Sequence, residues 1–157
     1  MSQLHPSCRA VDAVLEAAGL PGRVRILSKP APTARAAADQ LGCDVGAIAN
    51  SLVFATDAGE PLLIMTSGRH RVDLAVIEQA HGISLQRASP EFVRTHTGQP
   101  IGGVSPVGHP RSIRTLIDRA LADYPKLWAA GGIPHAVFPL TYAELLTLTG
   151  GEEVDVN

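Results

Sequence analysis

The clearest structural signal in the sequence is the segment of residues 48–66, which reads IANSLVFATDAGEPLLIMT. Two apolar segments rich in β-forming side chains flank Asp57-Ala58-Gly59-Glu60, which has the composition of a turn. The pattern predicts a β-hairpin with strands at residues 48–56 and 61–66.

Shorter signals on both sides of this hairpin complete the expected fold. Apolar residues at helical spacing, N-cap residues and terminating glycines predict the helices. They are expected at 6–19, at 33–41 with Thr33 as N-cap, at 72–79, from Ser89-Pro90 onward, and from the capping box Thr141–Glu144 to Gly150. Further strands are expected at 24–27, 113–117 and 136–138, and residues 97–110 are expected to form a loop.

The order of these elements indicates the fold class. Strands do not alternate regularly with long helices, which disfavours a doubly wound sheet. We expect an α/β protein of the α+β type, with a mixed, curved, barrel-like β-sheet surrounded by several helices. The 157 residues, 45% of them hydrophobic, suffice for one core, so a single domain over 1–157 is predicted.

Composition narrows the classes of function. No apolar run approaches the ~20 residues of a membrane span, and the N-terminus lacks a signal-peptide layout, so a cytoplasmic location without membrane contact is expected. Cys8 and Cys43 form no C-x-x-C motif and the histidines are scattered, so we expect no metal and no cofactor. The formal net charge of -2 disfavours broad duplex binding. Local basic clusters, among them Arg69-His70-Arg71, are either solvated surface or contacts for a few phosphates of an RNA end.

The loop Gly102-Gly103-Val104-Ser105-Pro106-Val107-Gly108 is the first candidate site. Glycine lets a backbone approach a ligand closely, and proline stiffens the frame. Backbone N–H groups in such a loop can hold an anionic oxygen. The alternative is a structural turn between two strands, and the pattern alone leaves both open.

Three further places could carry chemistry. Asn50-Ser51 is a polar pair inside an apolar strand, which is either an edge feature or the floor of a pocket. His135 follows Ala130-Gly131-Gly132 and precedes a strand, where a histidine is either structural or functional. Asp118 is either a base or a cap of the next turn, and the cap is preferred. No Ser-His-Asp order or nucleophile elbow is present, so covalent catalysis is not expected.

In chain order these segments resemble the YbaK / prolyl-tRNA synthetase-associated editing-domain family. Residues 48–54 resemble the family's I-x-K-[ST]-L-V-F strand, and Gly102–Pro106 resembles its G-x-x-x-P pocket loop. The other matching segments are Thr33–Ala38, Gly68-x-x-x-Val72-Asp73, Thr97-Gly98, Leu116–Asp118, Ala130–Gly132 and Leu140–Gly150. The resemblance runs from about residue 5 to the end of the chain.

The resemblance implies a freestanding deacylase that clears a wrongly attached amino acid from tRNA, commonly tRNA for proline carrying cysteine, alanine or another small residue. Its partners would be the acceptor end of an aminoacyl-tRNA and an aminoacyl-tRNA synthetase. Asn50 and backbone N–H groups near Gly102 and Ser105 would then be catalytic. The substrate-binding residues would be Ser51, Gly103, Val104, Pro106, Gly132 and His135, and the tRNA-binding residues Arg69 and Arg71.

Asn50 departs from the family pattern, which has a lysine at this position. Asparagine can hydrogen-bond a carbonyl or a ribose hydroxyl but supplies no positive charge. The chain is therefore expected to be a deacylase for a different substrate, or one in which another cation replaces the lysine, or a binding module for an RNA end or a small ligand without the chemistry. A small-molecule hydrolase with the same pocket is a further alternative.

Overall fold

The computed structural model describes residues 4–157 of the chain. Residues 1–3, which belong to the expected domain, lie outside the described residues. The helices are α1 (Pro6–Ala17), α2 (Ala34–Leu41), α3 (Leu74–His81), α4 (Pro90–Thr97) and α5 (Tyr142–Thr149). The strands are β1 (Arg25–Ile26), β2 (Ile48–Thr56), β3 (Pro61–Ser67), β4 (Leu85–Arg87), β5 (Arg114–Asp118), β6 (Leu127–Ala130), β7 (Ala136–Leu140) and β8 (Glu152–Val154). No helix within residues 4–157 is long and apolar enough to cross a membrane.

All eight strands belong to one mixed sheet of order β1-β7-β6-β2-β3-β5-β8, with β4 paired to β2. The predicted hairpin is confirmed: β2 and β3 are antiparallel, and Asn50 lies opposite Thr66. β2 also pairs in parallel with β6 at its start and antiparallel with β4 at its end. The sheet confirms the α+β class, and it does not close into a barrel because β1 and β8 pair with β7 and β5 rather than with each other.

The two faces of the central hairpin pack against different helices. Alternate residues of a strand point to opposite faces, so Ala49, Leu63 and Met65 share a face with the main core. That core includes residues from α1, α4 and α5. The opposite face carries two smaller apolar clusters, one under α2 around Ile48 and one under α3 around Ile64. Asn50 lies between these two clusters, which places a polar side chain in a gap of the apolar face.

Local signals locate most helix ends. Thr33, Ser89 and Thr141 are N-caps whose side chains accept backbone N–H groups, and Thr141 with Glu144 forms the predicted capping box. The helix expected at 72–79 is shifted, because the Asp73 side chain accepts the N–H of Ala75 and starts α3 at Leu74. Residues 98–113 contain no helix or strand, as expected for the glycine- and proline-rich loop.

Candidate active site

Two cavities share one stretch of lining, formed by the middle of β2 and the loop after α4. The smaller cavity has a volume of about 170 Å3, and the larger one has about 480 Å3. The residues that line both are Asn50, Ser51, Leu52, Ile101, Gly102 and Val104, and we call them the shared wall. The polar pair of β2 and the start of the glycine loop therefore lie side by side.

The two cavities differ in chemistry. The smaller one is lined by small apolar side chains of α2, such as Ala34 and Ala37, and by Trp128 and Val137 of the sheet. The larger one is lined by His70, Arg71 and Arg87 in addition to apolar residues. Both arginines are exposed, and neither forms an ion pair within residues 4–157. One compartment is thus small and apolar, and the other is basic.

Asn50 is the polar side chain best placed to meet a ligand in the shared wall. It is half-buried and makes no side-chain hydrogen bond within the described part of the chain. Ser51 differs, because its hydroxyl donates to the sulfur of Met65 at 3.1 Å. The Asn50 amide can therefore donate one hydrogen bond and accept another without breaking an internal one.

A row of polar residues crosses the sheet from Asn50. Thr66 lies opposite Asn50 on β3, and its hydroxyl donates to Oδ2 of Asp118 on β5 at 3.3 Å. The same Oδ2 accepts the N–H of Ser67 at 2.9 Å and lies 2.9 Å from Nδ1 of His70. Oδ1 of Asp118 accepts the N–H of Ala120 at 3.0 Å, which confirms the preferred interpretation of Asp118 as a cap. Asp118, which is 1% exposed, also holds His70 beside the larger cavity.

Two side chains hold the glycine loop on the side away from the cavities, the buried Gln99 and the half-buried His109. Gln99 accepts the N–H of Ser105 at 2.7 Å and donates to the carbonyl of Val107 at 3.2 Å. Nε2 of His109 donates to the carbonyl of Ser105 at 2.7 Å, which assigns the ring proton to that nitrogen. These bonds fix the backbone of the loop before any ligand arrives.

The family model of the aminoacyl-tRNA editing domain matches residues 28–148 of the chain. The chain belongs to this family. A crystal structure of a proposed trans-editing enzyme for prolyl tRNA synthetase superposes with a TM-score of 0.92 at 42% identity, covering 99% of both chains. An uncharacterized protein of Bacillus subtilis, YwhH, is 30% identical over 72% of this chain and 72% of its own length. The proline–tRNA ligase of Maridesulfovibrio salexigens is 29% identical over 83% of this chain, which corresponds to 20% of the ligase.

Within this editing domain, some of the expected site residues come together and others do not. Asn50, Ser51, Gly102 and Val104 lie in the shared wall, and Arg71 lines the larger cavity. The others line neither cavity: Arg69, Gly103, Ser105, Pro106, Gly132 and His135.

The expected residues outside the cavities have structural contacts of their own. Arg69 forms an ion pair with Asp123 at 2.7 Å, which holds its pKa above the usual range and compensates its charge. Ser105 is fully buried, and its hydroxyl accepts the N–H of Val107 at 3.3 Å. His135 contributes its carbonyl to a hydrogen bond with the N–H of Leu27 at 2.6 Å.

The remaining residues of this group are in close packing. A Cβ on Gly103 would meet the backbone of Ile133 at 2.4 Å, and one on Gly132 would meet Ser7 at 2.9 Å. Pro106 lines a separate cavity together with His109. Gly103 and Gly132 therefore lie where two chain segments pack too closely for a side chain.

Three polar or charged residues of the larger cavity are not identified as site residues from the sequence: Thr66, His70 and Arg87. The sequence places His70 only in a basic cluster. Arg87 lies on a three-residue strand that the sequence does not mark. Arg87 lies at the larger cavity because its strand, β4, pairs with β2, where Arg87 is opposite Phe54.

His109 makes the stability of the editing domain depend on pH. Burial disfavours the charged imidazole and lowers the pKa of His109 below its ordinary 6.5, against the opposing effect of its bond to the Ser105 carbonyl. Below about pH 6.5 the His109 imidazole of the unfolded chain binds a proton more readily than that of the folded chain. The free energy of unfolding therefore falls as the pH drops. We expect the melting temperature to fall between about pH 7.5 and about pH 5.5, and to fall less in His109→Gln. Thermal denaturation measures both proteins. If the melting temperatures of wild type and His109→Gln fall equally over this pH range, His109 is not the source of the pH dependence.

Proposed function

We propose that this editing domain is a trans-acting deacylase that hydrolyses the ester of a mischarged tRNA, with tRNA for proline carrying cysteine or alanine as the expected substrate. The observation that carries the proposal is the shared wall, where the free amide of Asn50 lies between a small apolar cavity and a larger basic one. Family membership and the similarity to a proposed trans-editing enzyme support the same reaction class.

The sizes of the cavities suit the two ends of an aminoacyl ester. The smaller cavity, with a volume of about 170 Å3 and a lining that includes Ala34 and Ala37, suits a small side chain. The larger volume of about 480 Å3 lies in the ~300–1,000 Å3 range of pockets that bury small ligands. In the proposal the amino acid enters the smaller cavity, and the terminal ribose and base occupy the larger one.

The shared wall supplies the groups for carbonyl activation. The ester carbonyl would lie between the two cavities, within reach of the Asn50 amide and of backbone N–H groups near Gly102. Donors aimed at the developing oxyanion lower the barrier, and an ester needs little more than this and an oriented nucleophile. The proposed reaction uses direct attack by water or by a neighbouring group of the substrate, without a covalent enzyme intermediate.

The decisive experiment is an assay of purified protein on tRNA for proline charged with cysteine, alanine, serine, threonine or proline. Release of cysteine or alanine above the rate in buffer, with the prolyl ester left intact, is the expected result. If no ester is hydrolysed while the acceptor end is still bound, the protein is a binding module, as the uncharged Asn50 would allow. Hydrolysis of free amino-acid esters alone would identify a small-molecule hydrolase.

Arg71 and Arg87 are expected to hold phosphates near the tRNA end. In Arg71→Ala and Arg87→Ala, KM should rise about threefold to tenfold with kcat little changed, because each lost phosphate contact weakens ground and transition states equally. The slope of log(kcat/KM) against log[salt] should become shallower by about one unit per contact. Arg94→Ala is the matched control, since this arginine is exposed on α4 and lines neither cavity. A KM that rises as much in the control would contradict the assignment.

A further inference from the structure

His70 and Asp118 form a hydrogen-bonded pair that takes no part in the proposed contacts to the ester carbonyl. Asp118 is almost completely buried, whereas the side chain of His70 is 27% exposed and lines the larger cavity. The two residues are 48 positions apart in sequence and are joined by the 2.9 Å contact between Nδ1 and Oδ2. A buried carboxylate thus holds a partly exposed imidazole at the edge of the cavity.

The hydrogen bonds around Asp118 determine which nitrogen of His70 carries the proton. Oδ2 accepts the N–H of Ser67 and the hydroxyl of Thr66, so it is an acceptor toward the imidazole as well. The neutral ring therefore carries its proton on Nδ1, and Nε2 keeps a free lone pair. Because Asp118 is also bonded to Ala120, the carboxylate and the ring it orients are fixed in place.

We propose that Nε2 of His70 is the general base that activates the hydrolytic water, with Asp118 as its positioning residue. This inference rests on the proposed deacylase function and adds the residue that moves the proton. The same arrangement, in which a buried carboxylate fixes the tautomer of a histidine and stabilises its charged form, serves proton transfer in hydrolases. The polar row from Asn50 through Thr66 and Asp118 leads to His70, so the carbonyl donor and the base belong to one lining.

The step balances without any additional reactant. Nε2 takes a proton from water as the water oxygen bonds to the ester carbonyl carbon. The bond between that carbon and the ribose oxygen then breaks, and the imidazolium returns its proton to the leaving oxygen. The products are the free amino acid and the tRNA with its terminal hydroxyl restored.

Variants of His70 separate this role from a purely structural one. In His70→Asn the side-chain amide can still donate to Asp118 as Nδ1–H does, but no group replaces Nε2. We expect kcat on the substrate found in the charged-tRNA assay to fall about 10²- to 10⁴-fold, with KM and melting temperature close to wild type. The matched control is His81→Asn, because His81 also contacts a carboxylate, Glu152, at 3.7 Å but lines neither cavity.

The pH dependence of kcat and rescue by added imidazole both test for proton transfer, and neither would change if His70 were only structural. Wild-type kcat should depend on pH as expected for a general base, and this dependence should be absent in His70→Asn. Added imidazole should restore part of the activity of His70→Ala. Arg71 and Arg87 are the other charged groups that line the larger cavity. His70 also borders a separate cavity, whose other charged lining groups are Asp118, Arg119, Asp123 and Asp155.

The possible outcomes are distinguishable from failure of the proposed function. An inactive wild-type protein would remove the deacylase function itself. An active wild type with His70→Asn retaining its rate and its pH profile would overturn the role of His70 alone. Loss of activity that accompanies a lowered melting temperature in His70→Asn, without imidazole rescue of His70→Ala, would likewise overturn it.

Discussion

Asn50→Ala is expected to lower kcat/KM for the mischarged tRNA about 10²- to 10³-fold, the usual effect of removing one donor from an oxyanion site. The amide lies in the shared wall and has no side-chain hydrogen bond within residues 4–157, so its hydrogen-bonding capacity is available to the substrate. For the same reason the melting temperature should stay within a few degrees of wild type. Steady-state kinetics and thermal denaturation of the same preparations measure both effects.

Two further substitutions at position 50 test whether donation is the property that matters. Asn50→Asp keeps the shape but replaces the donor by a negative charge, and it should be at least as inactive as the alanine variant. Asn50→Lys provides a charged donor and should retain or raise the rate. A rate for Asn50→Ala within about threefold of wild type would exclude the amide from carbonyl activation.

Replacing Gly103 with alanine should destabilise the fold by about 3 kcal/mol or more, at the upper end of overpacking effects. The new Cβ would lie 2.4 Å from the backbone carbon of Ile133 and 2.7 Å from the nitrogen of Pro134, and backbone atoms cannot rotate away. For a chain of this size each kcal/mol lowers the melting temperature by about 2–4 °C, so a loss of roughly 6–12 °C is expected. Activity should fall as well, because the loop must move away from residues 133 and 134.

Gly102→Ala is the comparison within the same loop. Apart from its chain neighbours, no atom of residues 4–157 lies within 4 Å of its added Cβ, and the cost is the strain of a positive φ of 89°. That strain amounts to about 1–2 kcal/mol for a residue with a side chain. If the two alanine variants melt at the same temperature, close packing at Gly103 is not what restrains the loop.

Residues near in sequence determine the parts of the fold that could be predicted. The hairpin follows from two apolar strands around Asp57–Glu60, and the caps at Thr33, Ser89 and Thr141 act within three residues. The strands β4, β6 and β8 were not predicted. They are three or four residues long and show no alternation, and pairing with distant strands is what makes them extended.

The sequence predicts the parts of the candidate site for which one segment carries the signal, and not those where distant segments meet. Asn50 and Gly102 each lie in a motif, and both line the shared wall. Ser105 belongs to the same loop, but its amide and carbonyl are bound by Gln99 and His109, which turns it inward. The pairing of His70 with Asp118 depends on the order of β3 and β5 in the sheet, which no local pattern reveals.

The division of the site into two cavities has a consequence for how its selectivity can diverge. Ala34 and Ala37 of α2 line the smaller cavity and not the larger, while Arg71 and Arg87 line the larger and not the smaller. Point changes in one eight-residue helix can therefore resize the smaller cavity while the basic cavity stays the same. Under the proposed function, a lineage of such proteins could change the amino acid that it removes in small heritable steps, without changing the residues proposed to contact the tRNA end.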